Sequence, residues 1–182
     1  NLAPHSNAWV AFTPSALALS PRDPTLIAVG TSSVPHMKLL LVRLLVPPYD
    51  PQPVEPHASL EDPSPSPTAA PETQASQARR ELALADREAA AIQIHCNTLA
   101  PQTAYSTPAV AWRPDGSGVW VNGDDGAVRG VEVRSGKVVR TLTGGHEAGS
   151  KVRCLWAGAV GGEELLVSGG FDQRLLVWQG GV

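Results

Sequence analysis

Gly144–Trp178, GGHEAGSKVRCLWAGAVGGEELLVSGGFDQRLLVW, is the stretch that decides the fold. A Gly-His pair opens it. Three short apolar runs follow, Lys151–Ala157, Glu164–Ser168 and Arg174–Trp178. Glycine-rich or Gly/Asp-containing turns separate them. Short apolar runs bounded by such turns read as β-strands. The glycines at 144–149 and 158–162 read as turn residues, because neither a G-x-x-x-x-G-K-[ST] loop nor a G-x-G-x-x-G loop after a strand is present to cradle phosphate.

The unit just before it has the same grammar. Ala109–Trp112 is a strand and Arg113-Pro114-Asp115-Gly116-Ser117-Gly118 a turn. Val119–Val121 is the second strand, closed by Asn122-Gly123-Asp124-Asp125-Gly126. Ala127–Val133 is the third, Arg134-Ser135-Gly136 a hairpin turn, and Lys137–Leu142 the fourth. Asn-Gly and Asp-Gly pairs between apolar runs are strong hairpin signals, because these residues tolerate the positive φ that tight hairpins require.

Further back the pattern is interrupted. Trp9–Phe12 reads as a strand among prolines. Ala16–Leu19 and Leu26–Val29 flank the turn sequence SPRDP, and Met37–Leu45 reads as a third strand. Residues 47–76 then hold nine prolines and five carboxylates (Asp50, Glu55, Glu61, Asp62, Glu72) with no Lys or Arg. Such a composition buries too little apolar surface to offset chain entropy, so a disordered surface excursion is expected. Its PSPSP core is also an accessible phosphorylation target. Residues 74–91 are rich in Ala, Glu, Leu, Arg and Gln and predict a short helix. Ile92–Cys96 alternates at period two and predicts the strand that the excursion displaced.

The repeat can be measured. Trp112 and Trp156 end first strands 44 residues apart (156 − 112), and Asp125 and Asp172 sit in matching turns 47 apart (172 − 125). Both spacings lie near the roughly 40–45-residue period of propeller blades. From Ala109 to Trp178 the chain resembles WD40-repeat proteins. The resemblance implies an all-β fold: about three four-stranded blades of a seven-bladed ring, with a Pro-rich insertion and one short helix. It divides the chain into strands one to three of a first blade (1–46), the insertion and helix (47–91), the fourth strand of that blade (92–100), a second blade (101–145) and a closing blade (146–182). It also implies a hydrogen-bonded tetrad, falling on His146, Ser168, Asp172 and Trp178. The second blade keeps Asp125 but has Val121 and Val131 in place of Ser and Trp, and no Gly-His before it. Packing alone is expected to hold that blade.

His146, Ser168 and Asp172 are also the residue types of a catalytic triad. A nucleophilic serine must be exposed beside an oxyanion hole, and no G-x-S-x-G elbow is present. No catalytic residue is assigned. His95, Cys96, His146 and Cys154 lack zinc-ligand spacing. No metal or cofactor is therefore expected. Trp9, Trp112, Trp120 and Trp156 read as core or near-core aromatics. Arg129, Arg134, Lys137, Arg140, Lys151 and Arg153 gather late in the chain and form a candidate interaction rim.

A formal charge of −3 over 182 residues gives no global pull towards nucleic acid or anionic lipid. Two cysteines make no disulfide framework and favour a reducing compartment, cytosol or nucleus; the assemblies implied by the resemblance put the nucleus first. No apolar run is long enough to span a bilayer. The function implied by the resemblance is a non-enzymatic scaffold that binds other protein subunits in a large assembly, with a ribosome biogenesis particle or the nuclear pore as first guesses. The alternatives are a module binding RNA or histone tails through the basic rim, and a regulatory or substrate-receptor subunit of an enzyme complex. Three blades cannot close a ring, so further blades are expected from an N-terminal part of the same chain.

Overall fold

The structure is a computed structural model that describes residues 13–44, 74, 78–79, 82 and 92–179. The expected strand at Trp9–Phe12 and the excursion over 47–73 lie outside these residues. So does most of the expected helix, of which Gln74, Ala78, Arg79 and Leu82 are helical.

The described strands form three antiparallel sheets. β1 (Thr13–Leu19), β2 (Leu26–Ser32), β3 (His36–Arg43) and β4 (Ile92–Pro101) make the first, in that order. The long excursion does not disturb the pairing of β3 with β4, where Leu41 lies opposite Ile94 and Leu39 opposite Cys96. β5 (Val110–Trp112), β6 (Gly118–Asn122), β7 (Val128–Glu132) and β8 (Val138–Leu142) make the second sheet. β9 (Val152–Val160), β10 (Glu163–Gly170) and β11 (Leu175–Gln179) make the third, which has three strands among the described residues. The fold is an all-β, WD40-type propeller arc, each sheet one blade.

Turn chemistry sets the hairpins. Asp115 accepts from the Ser117 amide at 2.9 Å, and Gly116 takes φ +72° beside it. Asp23 does the same work in the first blade, accepting from the Thr25 amide and hydroxyl and pairing with Arg43. The central strand β6 is buried along its whole length, which explains its unbroken apolar run. The outer strand β8 is exposed at its middle.

Two cores lie between the blades. Between the first and second, Leu39, Leu41, Cys96, Trp112, Val119, Val121 and Val131 pack together, and the Trp112 indole donates to the Ala18 carbonyl at 2.7 Å. Between the second and third, Ala111, Trp120, Val128, Val152 and Leu166 do so. The Trp120 ring sits against Gly130, where a Cβ would fall 2.8 Å from it. Its indole donates to Glu164 at 2.9 Å, and Glu164 also accepts from Arg113 Nε, at 3.2 and 3.0 Å, and from its Nη2, at 2.6 Å.

Trp156 corrects one expectation. It is not a core aromatic but 53% exposed. On β9 it is Leu155 and Ala157 that face the second blade, so Trp156 points the other way. By register Trp112 lies opposite Val119 and Trp156 opposite Val167, and only the first of these strand partners lies in a core. A one-residue offset in a strand moves a side chain to the other face. Gly158 is likewise no turn residue: it lies within β9, and the Trp156 ring lies back over it.

Candidate functional site

The connections β2–β3, β4–β5, β6–β7, β8–β9 and β10–β11 emerge at one end of the stacked sheets, as an antiparallel meander requires. This end holds most of the polar organisation. In the third blade the structure brings His146, Ser168, Asp172 and Trp178 together. The Trp178 indole donates to Ser168 Oγ at 2.8 Å, and Ser168 Oγ lies 2.9 Å from His146 Nε2. His146 Nδ1 lies 3.0 Å from both Asp172 oxygens. With Ser168 receiving the indole proton and giving its own to Nε2, the ring proton sits on Nδ1 and donates to Asp172. The backbone amides of Glu147 and Arg174 complete the carboxylate's shell. Burial pushes the Asp172 carboxyl up, but these amides and the His146 ring outweigh it and hold its pKa below the ordinary value.

The three residue types of a hydrolytic triad are thus in hydrogen-bonding order. Ser168 is nevertheless fully buried, and its oxygen is already bonded to the Trp178 indole. A hydroxyl in that position cannot meet a substrate carbonyl. What the arrangement does is tie the β8–β9 connection, through His146, to β10, β11 and the turn between them.

The second blade corrects another expectation: packing alone does not hold it. Asn122, at the end of β6 and buried, accepts from the Ala109 amide at 2.7 Å. Its amide group donates to the Thr107 carbonyl at 2.9 Å and the Val152 carbonyl at 2.6 Å. One side chain therefore fastens the end of β6 to the connection that leads into β5 and to β9 of the third blade. The turn carboxylates extend the brace. Asp124 accepts from the Thr103 amide and hydroxyl and from Ser106, and it pairs with Lys151 at 3.2 Å. Asp125 pairs with Arg129 at 2.5 Å and accepts from the Ala127 amide. Burial pushes both carboxyls up, and their hydrogen bonds and cationic partners more than reverse it. Asn122 was missed because it stands one residue beyond the position that the 47-residue offset matches to Ser168. The signal available was an Asn-Gly step ending an otherwise apolar strand.

The six basic residues do not share one rim. Arg134 and Lys137 flank the β7–β8 turn, at the opposite end from Lys151 and Arg153. Arg140 lies mid-strand, opposite Gly130. Arg129 is paired with Asp125 and Lys151 with Asp124, and Arg153 stacks 4.7 Å over the Phe171 ring. A groove of about 250 Å³ beside β8 includes Arg140, together with Arg113, Trp120, Gly130, Glu132 and Val139. His95, Cys96, His146 and Cys154 are also scattered. Among the described residues no three His, Cys, Asp or Glu side chains converge as metal ligands do.

Exposed apolar side chains stand at the braced end. They include Val34 in the β2–β3 turn, Tyr105 in the β4–β5 connection, where it is 86% exposed, and Phe171 at the β10–β11 turn. Leu99 projects from β4 near the same end, at φ +55°, with the buried Thr98 and Ala100 on either side.

A family model described as a β-propeller domain matches residues 10–179. Solved structures with the same fold include the WD40 repeats of RRP9 and U3-55K, each with a TM-score of 0.54 and 14% identity over 93% of this chain. The chain spans 36% of the length of each. No curated protein matches it by sequence.

Proposed function

The chain belongs to the β-propeller-domain family, and from that premise we propose that it is a non-catalytic scaffold binding other protein subunits within a large assembly. The observation that carries this reading is the braced end. Asn122, Asp124, Asp125 and the His146–Asp172–Ser168–Trp178 set have their polar groups bonded to neighbouring side chains and to backbone. Val34, Leu99, Tyr105 and Phe171 stand exposed beside them. A rigid end bearing scattered large side chains, its polar groups internally satisfied, offers contact area and little reactive chemistry. Side chains already held in place lose little conformational freedom on binding. The assembly we propose is nuclear, a ribosome biogenesis particle or the nuclear pore.

The neutralisation of Arg129 and Lys151 and the scatter of the other basic residues speak for protein rather than RNA as the partner. The test is tagged purification of the protein from cells, with and without residues 47–90, and with Tyr105→Ala plus Phe171→Ala. The scaffold reading expects protein subunits in fixed stoichiometry, lost when the two aromatics are removed. Recovery of RNA in place of protein, with binding that falls steeply with salt, overturns it.

A further inference from the structure

The groove beside β8 lies towards the end opposite the brace, and its shape has a local cause. On the face that the second blade turns to the third, Trp120 lies opposite Gly130 and Gly118 opposite Glu132. Two glycines on one face let long side chains lie flat. The Trp120 ring lies across Gly130. The Arg113 stem lies across Gly118, where a Cβ would fall 3.0 Å from the Arg113 Cδ. Glu164 of the third blade pins both, accepting from the indole and from the guanidinium. The floor of the groove is thus set before any ligand arrives. Its outer wall comes from an irregularity in β8. Gly130 pairs with Arg140 and Val131 with Val138, so Val139 is an extra residue, a β-bulge. In a regular strand Val139 and Arg140 would point to opposite faces. At the bulge both line the groove, and Val139 is 61% exposed.

The chemistry of the lining is one-sided. Glu132 accepts from the Ser135 hydroxyl at 2.6 Å, and the Ser117 hydroxyl is bonded to Asp115 at 2.8 Å. Arg113 and Arg140 supply several N–H donors each. Arg134 and Lys137, on either side of Gly136 in the neighbouring turn, are exposed and make no ion pair among the described residues. The site therefore favours a ligand that brings acceptors and negative charge, together with an aliphatic group for Val139. A nucleobase finds no platform, because the aromatic ring in the lining, Trp120, is 1% exposed. A volume of about 250 Å³ suits a side chain or two of an extended segment rather than a cofactor, whose sites run to roughly 300–1,000 Å³.

We propose that this groove docks an extended acidic peptide of a partner protein, which sets an aliphatic side chain against Val139 and a neighbouring carboxylate on the Arg140 guanidinium. An arginine fork takes a carboxylate through two parallel bonds, which fixes the direction of the peptide as well as holding it. This goes beyond the scaffold reading, since it adds a contact of different chemistry at the end away from Tyr105 and Phe171.

The experiment is selection of phage-displayed random heptapeptides on the full chain. The expected result is enrichment of sequences that place Asp or Glu beside Val, Ile or Leu. The most enriched peptide, synthesised with a fluorescent label, should bind at least about tenfold more weakly to Arg140→Ala, which loses a charged hydrogen-bonding partner. Val139→Asp, a carboxylate set in the wall, should weaken it as much, and serves alone if Arg140→Ala lowers the urea midpoint. Tyr105→Ala plus Phe171→Ala should leave the affinity unchanged, so failure here is distinct from failure at the braced end. No enrichment, enrichment of basic or aromatic sequences, or binding that Arg140→Ala and Val139→Asp both leave intact overturns the proposal. An oligouridylate that displaces the peptide and binds more tightly overturns it in favour of RNA. Binding that appears only once residues 47–76 are deleted overturns it in favour of the chain's own acidic stretch.

Discussion

The second and third blades share a strand order, a turn aspartate and a place in the same stack, but they satisfy their buried polar groups differently. The third uses a relay of side chains, from Asp172 through His146 and Ser168 to Trp178, which ties a connection to two strands of its own sheet. The second uses Asn122, which bonds directly to three backbone groups and reaches the next blade at Val152. Its carboxylates, Asp124 and Asp125, are matched by Lys151 and Arg129 nearer the surface. The difference teaches that a missing tetrad need not mean a missing brace. A propeller junction requires that each buried donor and acceptor find a partner, and no single set of residues has a monopoly on that.

Substitutions can break this comparison. Asn122→Asp carries the largest expected effect. It keeps the shape but sets a carboxylate against the Thr107 and Val152 carbonyls, at a cost of about 3–5 kcal/mol, read as a melting temperature lower by roughly 10 °C. The loss should shrink in acid, where a protonated carboxyl can again donate to one carbonyl. An unchanged melting temperature would mean that the second blade does rest on packing. His146→Ala comes next, at about 3 kcal/mol by urea denaturation, because it strips a partner from both Ser168 and Asp172. If Asn122→Asp and His146→Ala cost the same and add in the double variant, the two braces are independent.

Gly130→Ala should cost about 1–3 kcal/mol by overpacking Trp120, an effect the third blade cannot show because Val177 occupies the matching place. Acid acts on both blades together. The folded-state pKa values of Asp124, Asp125 and Asp172 are lowered, so their contribution is complete above the ordinary carboxylate value of 3.8 and is lost as pH falls through the folded values. The urea midpoint should therefore stay flat from neutral pH down to about 5 and drop below about 4. Lys151→Met is the smallest change. It loses one partly exposed ion pair with Asp124, worth about 1 kcal/mol or less, and that loss should fade as salt is raised.

Much of this was legible in the residues. The strands of the second blade are short apolar runs between Asn-Gly and Asp-Gly turns, and they lie within a residue or two of where those turns predict them. His146, Ser168, Asp172 and Trp178 could be named because a 47-residue offset carries one turn aspartate onto the other. For Asn122 the Asn-Gly step marks only a turn, and nothing in a linear reading says that its amide will meet a carbonyl thirty residues on. The basic residues misled for a related reason. Their nearness along the chain, from Arg129 to Arg153, conceals an antiparallel reversal that carries Arg134 and Lys137 to one end and Lys151 to the other.

The sequence by itself determined the strands, the turns and the repeat, because those depend on local backbone preference and on apolar spacing within a few residues. Tertiary structure alone decided which face each strand turned to its neighbour, and so which tryptophan was buried. Trp112 and Trp156 end similar runs at a similar spacing. One donates to the Ala18 carbonyl within a core, and the other lies exposed over Gly158. A period-two strand allows either outcome, and the choice falls to a one-residue offset that only the packed sheets can enforce.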